Sequence, residues 1–258
     1  MVIHFTAVNP SDHDWETLGS REPYFAVLTD PRFLTQNLTP ESLAAFYASG
    51  ETDIERFLAM IGELHGEPPI LRKTLEFGCG VGRLCLPLAR RGLEVIGVDV
   101  APSMLELARS AAEAEGLRNA AFLELSSLSA LAAGTFDLVY SYIVFQHIEP
   151  DEGERYLGTL LRLAAPGGTV LLHFTLHRPG SWFRRLLRKL RSRSRTMHRF
   201  VGALRGERDL PYMQMNEYSL PRLVNVFREG GFDPPRVVPI IHAEMSGAFL
   251  LARKASAA

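Results

Sequence analysis

From residue 74 onward, short β-type runs alternate with helical stretches, and this alternation constrains the fold more than any other feature of the chain. "TLEFG" leads into "VGRLCLPLARRG", "EVIGVD" into "APSMLELARSAAEAEG", "AAFLEL" into a short polar link, and "FDLVYSYIV" into "DEGERYLGTLLRLA". "GTVLLHFTL" then precedes an irregular basic stretch. Strands separated by helices pair in parallel, and a parallel sheet must be covered on both faces. The helical run "SLPRLVNVFREGG" and two late β-like runs, "RVVPII" and "GAFLLAR", predict a last helix and a hairpin-like edge addition. Pro87 falls about a turn inside the first predicted helix, where a kink is expected.

The first strand ends in "LEFGCGVGRL", with glycines at 78, 80 and 82. Each glycine costs chain stability, so three together imply that backbone must approach a ligand. A loop between a buried strand and a helix directs N–H groups and the positive helix end towards the carboxyl edge of the sheet. The spacing differs from the dinucleotide pattern, and Glu76 precedes the first glycine by two residues, where it would repel a pyrophosphate but suit an ammonium group. Asp99, at the end of the second strand, is placed to accept hydrogen bonds from ribose hydroxyls. A ribose without phosphate and a cationic amino-acid end together describe S-adenosylmethionine.

At these residues the sequence resembles the class I S-adenosylmethionine-dependent methyltransferases. "LEFGCGVGRL" is similar to that family's first motif, "GVDVAPSMLELAR" to its second, "FDLVYSYIVFQHI" to its fourth-strand motif and "LAAPGGTVLL" to its fifth-strand motif. The resemblance covers about residues 70–253 in the family's order. It implies an α/β fold, a doubly wound, mostly parallel sheet of seven strands, and S-adenosyl-L-methionine as cofactor. It further implies that Gly78, Cys79, Gly80 and Gly82 wrap the methionine and ribose, that Asp99 holds the ribose, and that Val100 and Met104 pack on the adenine. Arg83, directly after the third glycine, corresponds to an arginine near the cofactor carboxylate in sequences of this type; its alternative is a solvated helix position. The family often has an Asp after the third strand for the adenine amino group, whereas this chain has Ser126, beside Ser127. Adenine recognition is therefore expected to be less charge-assisted.

Methyl transfer needs a nucleophile aligned with the methyl group, and a hydroxyl nucleophile benefits from a base. His147 in "FQHI" ends the fourth-strand region and is the first candidate base, against a reading as a helix-start histidine bonded to backbone. His177, at the carboxyl end of the fifth strand, is second, while His173 on the same face is expected to be core. Gln146 and Tyr142 are expected to border the cofactor or substrate. The acids near the fourth strand do not form a ligand set, so no metal is expected; Glu149 and Asp151 suit a helix start.

Two segments remain. Residues 1–68 are expected to form an N-terminal helical cap over a methyltransferase domain at 69–253, with Trp15, Tyr24 and Phe25 as lid aromatics or core filler. Residues 177–217 form an insertion in which Trp182, Arg184 and Arg185 belong to a basic amphipathic helix. It can pack on the body as a lid, touch anionic lipid peripherally, or dock a phosphate-bearing partner. Charge is polarised along the chain: residues 1–70 hold eleven acids and three arginines, and residues 178–208 hold eleven Lys and Arg and one acid. The net charge of −1 disfavours nucleic acid as the partner. No membrane-length apolar run and no basic-then-apolar leader occur, so the cytoplasm is expected, with Cys79 and Cys85 reduced.

The expected function is methylation of a small-molecule or saccharide acceptor, at oxygen, in glycan or secondary-metabolite biosynthesis. "WETLGSREPYFAVL" vaguely resembles bacterial methyltransferases of such pathways. The rivals are an RNA or protein methyltransferase that docks through the basic insertion, and a cofactor-binding protein without catalysis.

Overall fold

A computed structural model describes residues 10–179, 211, 213–242 and 245–255. The strands are β1 (Lys73–Phe77), β2 (Glu94–Asp99), β3 (Ala120–Glu124), β4 (Phe136–Ser141), β5 (Ala164–His177), β6 (Arg236–His242) and β7 (Met245–Arg253). They form one seven-stranded sheet in the order β3-β2-β1-β4-β5-β7-β6. The first five strands pair in parallel, and β7 pairs antiparallel with both β5 and β6. The late hairpin therefore inserts β7 beside β5 and leaves β6 at the edge. The strand order reverses between β1 and β4, and their carboxyl ends part there to leave the crevice in which such sheets bind ligands.

Both faces are covered. Leu75 and Phe77 of β1 pack with Tyr156, Leu157 and Leu160 of α6 (Pro150–Leu163) and with Leu223 and Phe227 of α7 (Leu220–Glu229). The opposite face receives Ile54, Phe57 and Ile61 of α3 (Pro40–His65), Leu86 and Leu88 of α4 (Cys85–Arg90) and Leu105 of α5 (Pro102–Ala114). Period-two alternation sends successive strand residues to opposite sides, so Glu76 shares the second face with Tyr140 of β4, its register partner.

Pro87 does not kink a helix. Residues 80–84 are turns and α4 begins at Cys85, which puts Pro87 in the first helical turn, where a missing N–H is tolerated.

The N-terminal region contributes α1 (Pro10–Arg21), α2 (Pro23–Val27) and α3. α3 has strong boundaries: Thr39 and Ser42 form a reciprocal capping box, Pro40 opens the helix, and Gly66 closes it at φ 76°. Its buried positions, Phe46, Gly50, Ile54, Phe57 and Ile61, recur every three or four residues and make one stripe. α1 is tied to the start of α5, where Glu16 accepts from both the backbone N–H and the hydroxyl of Ser103 at 3.1 Å. Among the described residues no helix is long and apolar enough to cross a membrane.

Gly50 shows how tightly this cap is seated. A Cβ there would fall on the carbonyl oxygen of Arg83 in the glycine loop. In an ordinary helix interior Gly→Ala stabilises by about 1 kcal/mol. Here Gly50→Ala is expected to lower the thermal unfolding temperature and weaken cofactor binding, because α3 must lift from the loop; a stabilised variant would show that the contact is not tight.

Candidate active site

The glycine loop leaves β1 and turns back through three positive-φ glycines: Gly78 at 77°, Gly80 at 50° and Gly82 at 81°. Gly78 and Cys79 donate backbone N–H bonds to the Val98 carbonyl at 2.7 and 3.1 Å, and Gly82 donates to the Cys79 carbonyl at 2.9 Å. A side chain at Gly78 would collide with Val144, so both the φ value and the close approach require glycine there. Asp99 locks the loop to β2 and α5: Oδ2 accepts from Gly80 N–H at 2.7 Å and Oδ1 from Ala101 N–H at 3.0 Å. Each carboxylate oxygen can accept a second bond, so capacity for ribose hydroxyls remains. Burial raises the Asp99 pKa, against the opposing pull of these backbone N–H groups.

The loop borders a cavity of about 520 Å³ at the β1/β4 crevice. Glu76, Gly78, Cys79, Gly80, Arg83, Asp99, Val100, Met104, Tyr142, Gln146 and His147 all line it, so most of the expected site residues come together. Gly82 does not; its hydrogen faces Ala108 and Phe122, and its role is helix-to-sheet packing. Ser126 is exposed and neither it nor Ser127 is in the lining; Leu125 takes that wall instead. His177 is exposed at the end of β5, outside the cavity, so the structure does not place it as a base. Trp15 lines the cavity, whereas Tyr24 packs edge-on against Phe46 and Tyr47, and neither Tyr24 nor Phe25 reaches the lining. Trp182, Arg184 and Arg185 lie outside the described residues.

Arg83 joins cap and loop. Its Nη1 binds Asp53 Oδ2 at 2.7 Å and Ser49 Oγ at 3.1 Å, both on α3. Its Nε is buried with no hydrogen-bond partner among the described residues. Glu76 is likewise buried. Its Oε2 accepts from Cys85 Sγ at 2.9 Å and from the Tyr140 hydroxyl at 3.1 Å, while burial pushes its pKa up to about 8.

His147 sits in a turn of 3-10 helix, Phe145–His147, between β4 and α6. Nδ1 lies 2.7 Å from the Gln214 carbonyl; an oxygen acceptor requires Nδ1–H, which leaves Nε2 as the basic nitrogen of the neutral ring. Gln146 presents its side-chain Nε2 to that nitrogen at 3.2 Å, while its Oε1 accepts from the Thr175 hydroxyl at 2.9 Å. Trp15 stands edge-on to the imidazole, with ring centroids 4.8 Å apart. Beside this turn, Ile143 adopts φ 61°, an uncommon conformation for a β-branched residue.

Some of the lining carried no signal in the sequence. Val27, Leu28, Met213, Met215 and Met245 are apolar residues of the kind that fill any core. Met213 and Met215 are brought in because the irregular segment that carries them bonds back onto the His147 turn: Gln214 through its carbonyl, and Asn216 N–H to the Gln146 carbonyl at 2.6 Å.

The family described as a methyltransferase domain matches residues 74–168, which run from β1 into β5 and carry the glycine loop, Asp99 and His147. Residues 74–168 thus match a methyltransferase domain, and the sheet has the class I S-adenosylmethionine-dependent methyltransferase fold. The chain is 28% identical over 171 residues to ubiquinone biosynthesis O-methyltransferase of Psychrobacter cryohalolentis, covering 65% of this chain and 61% of that one. It is 28% identical over 110 residues to ajmaline N-methyltransferase of Rauvolfia serpentina, covering 42% and 37% respectively. The matched part thus spans less than two thirds of either relative. In fold, the chain is similar to magnesium protoporphyrin IX methyltransferase of Synechocystis PCC 6803, solved with bound S-adenosylmethionine, at a TM-score of 0.60, 16% identity, and coverage of 97% and 99%.

The cofactor of this family, S-adenosylmethionine, fits the residues present. The orphaned Arg83 Nε suits its carboxylate, Glu76 its ammonium, Asp99 its ribose, and the apolar Val100, Met104 and Leu125 its adenine.

The raised Glu76 pKa has a consequence for stability. The folded state binds more protons than the unfolded state between the ordinary carboxyl range and about pH 8, so the Glu76 contribution falls as pH rises through that window. Glu76→Gln, which keeps the shape and cannot ionise, is expected to gain stability over wild type progressively from about pH 5 to about pH 8 while losing cofactor affinity. Denaturant unfolding at several pH values checks the first part and calorimetry the second; a pH-independent difference would contradict the assignment.

Proposed function

We propose that the protein methylates a hydroxyl group on an apolar small molecule, with His147 as the general base. The observation that carries this reading is the fixed tautomer of His147: the Gln214 carbonyl holds Nδ1–H, and Nε2 is the acceptor in a cavity wall. When bound, the cofactor supplies an electrophilic methyl on a sulfonium. The chain's residues then have three tasks. Glu76, Arg83 and Asp99 fix the donor; Trp15, Met213, Met215 and Met245 exclude water and favour an apolar acceptor over a saccharide; Nε2 receives the hydroxyl proton. The 3.2 Å contact from Gln146 is long for a hydrogen bond and is the contact an acceptor hydroxyl would replace. A neutral ring that accepts this proton becomes an imidazolium still bound to the Gln214 carbonyl, a better partner for a charged donor.

An amine acceptor is the second reading. It is favoured by Asp12 and Glu152 in the cavity wall, carboxylates that would attract a cationic amine. The relatives named above include ajmaline N-methyltransferase as well as a ubiquinone biosynthesis O-methyltransferase, which supports a small-molecule acceptor under either reading.

A panel of hydroxylated and aminated apolar compounds, incubated with enzyme and cofactor and read by mass spectrometry, is expected to show gain of one methyl at oxygen. With that acceptor and saturating cofactor, His147→Ala should lower kcat at least about tenfold, the low side of typical base catalysis. It should leave cofactor affinity within about threefold, because the donor is assigned to Glu76, Arg83 and Asp99 and not to His147. The wild-type kcat should rise with pH as Nε2 loses its proton, and the rise should vanish in the variant. Methylation confined to amines, with full turnover in His147→Ala, would replace the first reading with the second.

A further inference from the structure

Glu76 differs from an ordinary surface anchor in the way its two oxygens are used. Oε2 accepts two hydrogen bonds, from Cys85 Sγ at the start of α4 and from the Tyr140 hydroxyl on β4, and all three side chains are buried. Among the described residues no hydrogen bond reaches Oε1, and Glu76 lines the cofactor cavity. A carboxyl whose Oε2 is saturated by two donors must carry any proton on Oε1. Oε1 is therefore both the protonated atom of the neutral acid and the atom available to a ligand.

We propose that Cys85 and Tyr140 are positioning residues for the cofactor: they clamp Oε2, turn Oε1 into the cavity, and thereby make capture of the cofactor's ammonium release one proton. The inference deepens the cofactor assignment and rests on it. The balance is simple. The neutral carboxyl loses the Oε1 proton to solvent as the ammonium arrives, an N–H of the cation takes its place, and no covalent bond changes. The groups that face Glu76 are Cys85, Tyr140, Arg83 and Asp99, together with the thiol of Cys79. Burial, the largest influence, raises its pKa to about 8; the Cys85 bond, the Arg83 charge and the Tyr140 bond oppose that rise, and Asp99 adds to it. Neither thiol is a competing anion, because burial raises the pKa of Cys79 to about 11 and that of Cys85 well above its ordinary value. Loss of either donor to Oε2 must therefore make ionisation of Glu76 harder.

The test is calorimetric titration of the whole protein with S-adenosylmethionine, across pH and in two buffers of different ionisation enthalpy. Wild type should release close to one proton between about pH 6 and about pH 7, where its affinity should rise about tenfold per pH unit, and the rise should flatten towards about pH 8 as Glu76 ionises in the free protein and the cofactor's amine begins to lose its own proton. Cys85→Ala and Tyr140→Phe should each displace that rise to higher pH, with affinity about threefold to tenfold weaker at pH 7 and the difference from wild type closing at higher pH. Cys85→Ser keeps a donor and should restore the wild-type profile. A packing role alone would weaken binding by the same factor at every pH, and that result would overturn the proposal. So would binding by wild type with no proton released. If Tyr140→Phe fails to fold, the Cys85 pair decides the question alone. Absence of any binding by wild type would instead overturn the cofactor assignment itself, and the proposal with it.

Discussion

The carboxylate of Asp99 is the fixed point of this site. By holding the N–H groups of Gly80 and Ala101, it joins the loop after β1 to the start of α5 and sets the spacing between two backbone segments that must both meet the cofactor. The rest of the assembly follows from that loop being in place. Once Gly80 is held, Arg83 is carried under α3, where Asp53 and Ser49 receive its guanidinium and Gly50 leaves room for its carbonyl. α3 is therefore fastened to the glycine loop itself. The Asp53 and Ser49 contacts hold the buried guanidinium against α3, beside the cavity.

The same economy appears on the acceptor side. The chain that returns at Met213–Ser219 does not wander past the sheet; it bonds to the His147 turn through Gln214 and Asn216 and to Ile148 through the Tyr218 hydroxyl at 3.0 Å. One carbonyl, that of Gln214, thus sets the histidine tautomer, while the flanking Met213 and Met215 supply apolar wall. α1 completes the enclosure with Trp15 against the imidazole and Glu16 on the first turn of α5.

Much of this was legible in the sequence, for definite reasons. Alternating strand and helix runs impose a parallel sheet, and the carboxyl end of such a sheet is where a glycine loop and an acid at the next strand end must converge, as Gly78, Gly80 and Asp99 do. What escaped depends on long-range geometry. The start of α4 after the loop, which makes Pro87 harmless, is set by where the turns of residues 80–84 end. The placement of β7 inside the sheet is set by pairing with β5, not by local pattern. His177 looked suitable because it ends a strand, yet β5 runs beyond the crevice and carries it into solvent. Ser126 failed as an adenine partner because a tight helical turn at Leu125–Ala130 leaves it exposed and puts Leu125 at the wall. Glu76 lines the cavity as its place before the glycine loop implied, but nothing in the sequence announced the two donors on Oε2 that come from β4 and α4.

The central claim is that one cavity holds the cofactor between Glu76, Arg83 and Asp99 and presents its sulfur towards His147. A crystal structure with S-adenosylhomocysteine tests it most directly. The account predicts the amino group at Glu76 Oε1, the carboxylate at Arg83, the ribose at Asp99, and the sulfur on the His147 side with space for an acceptor between them. A product bound with its sulfur turned away from His147, or with Asp99 off the ribose, would contradict it.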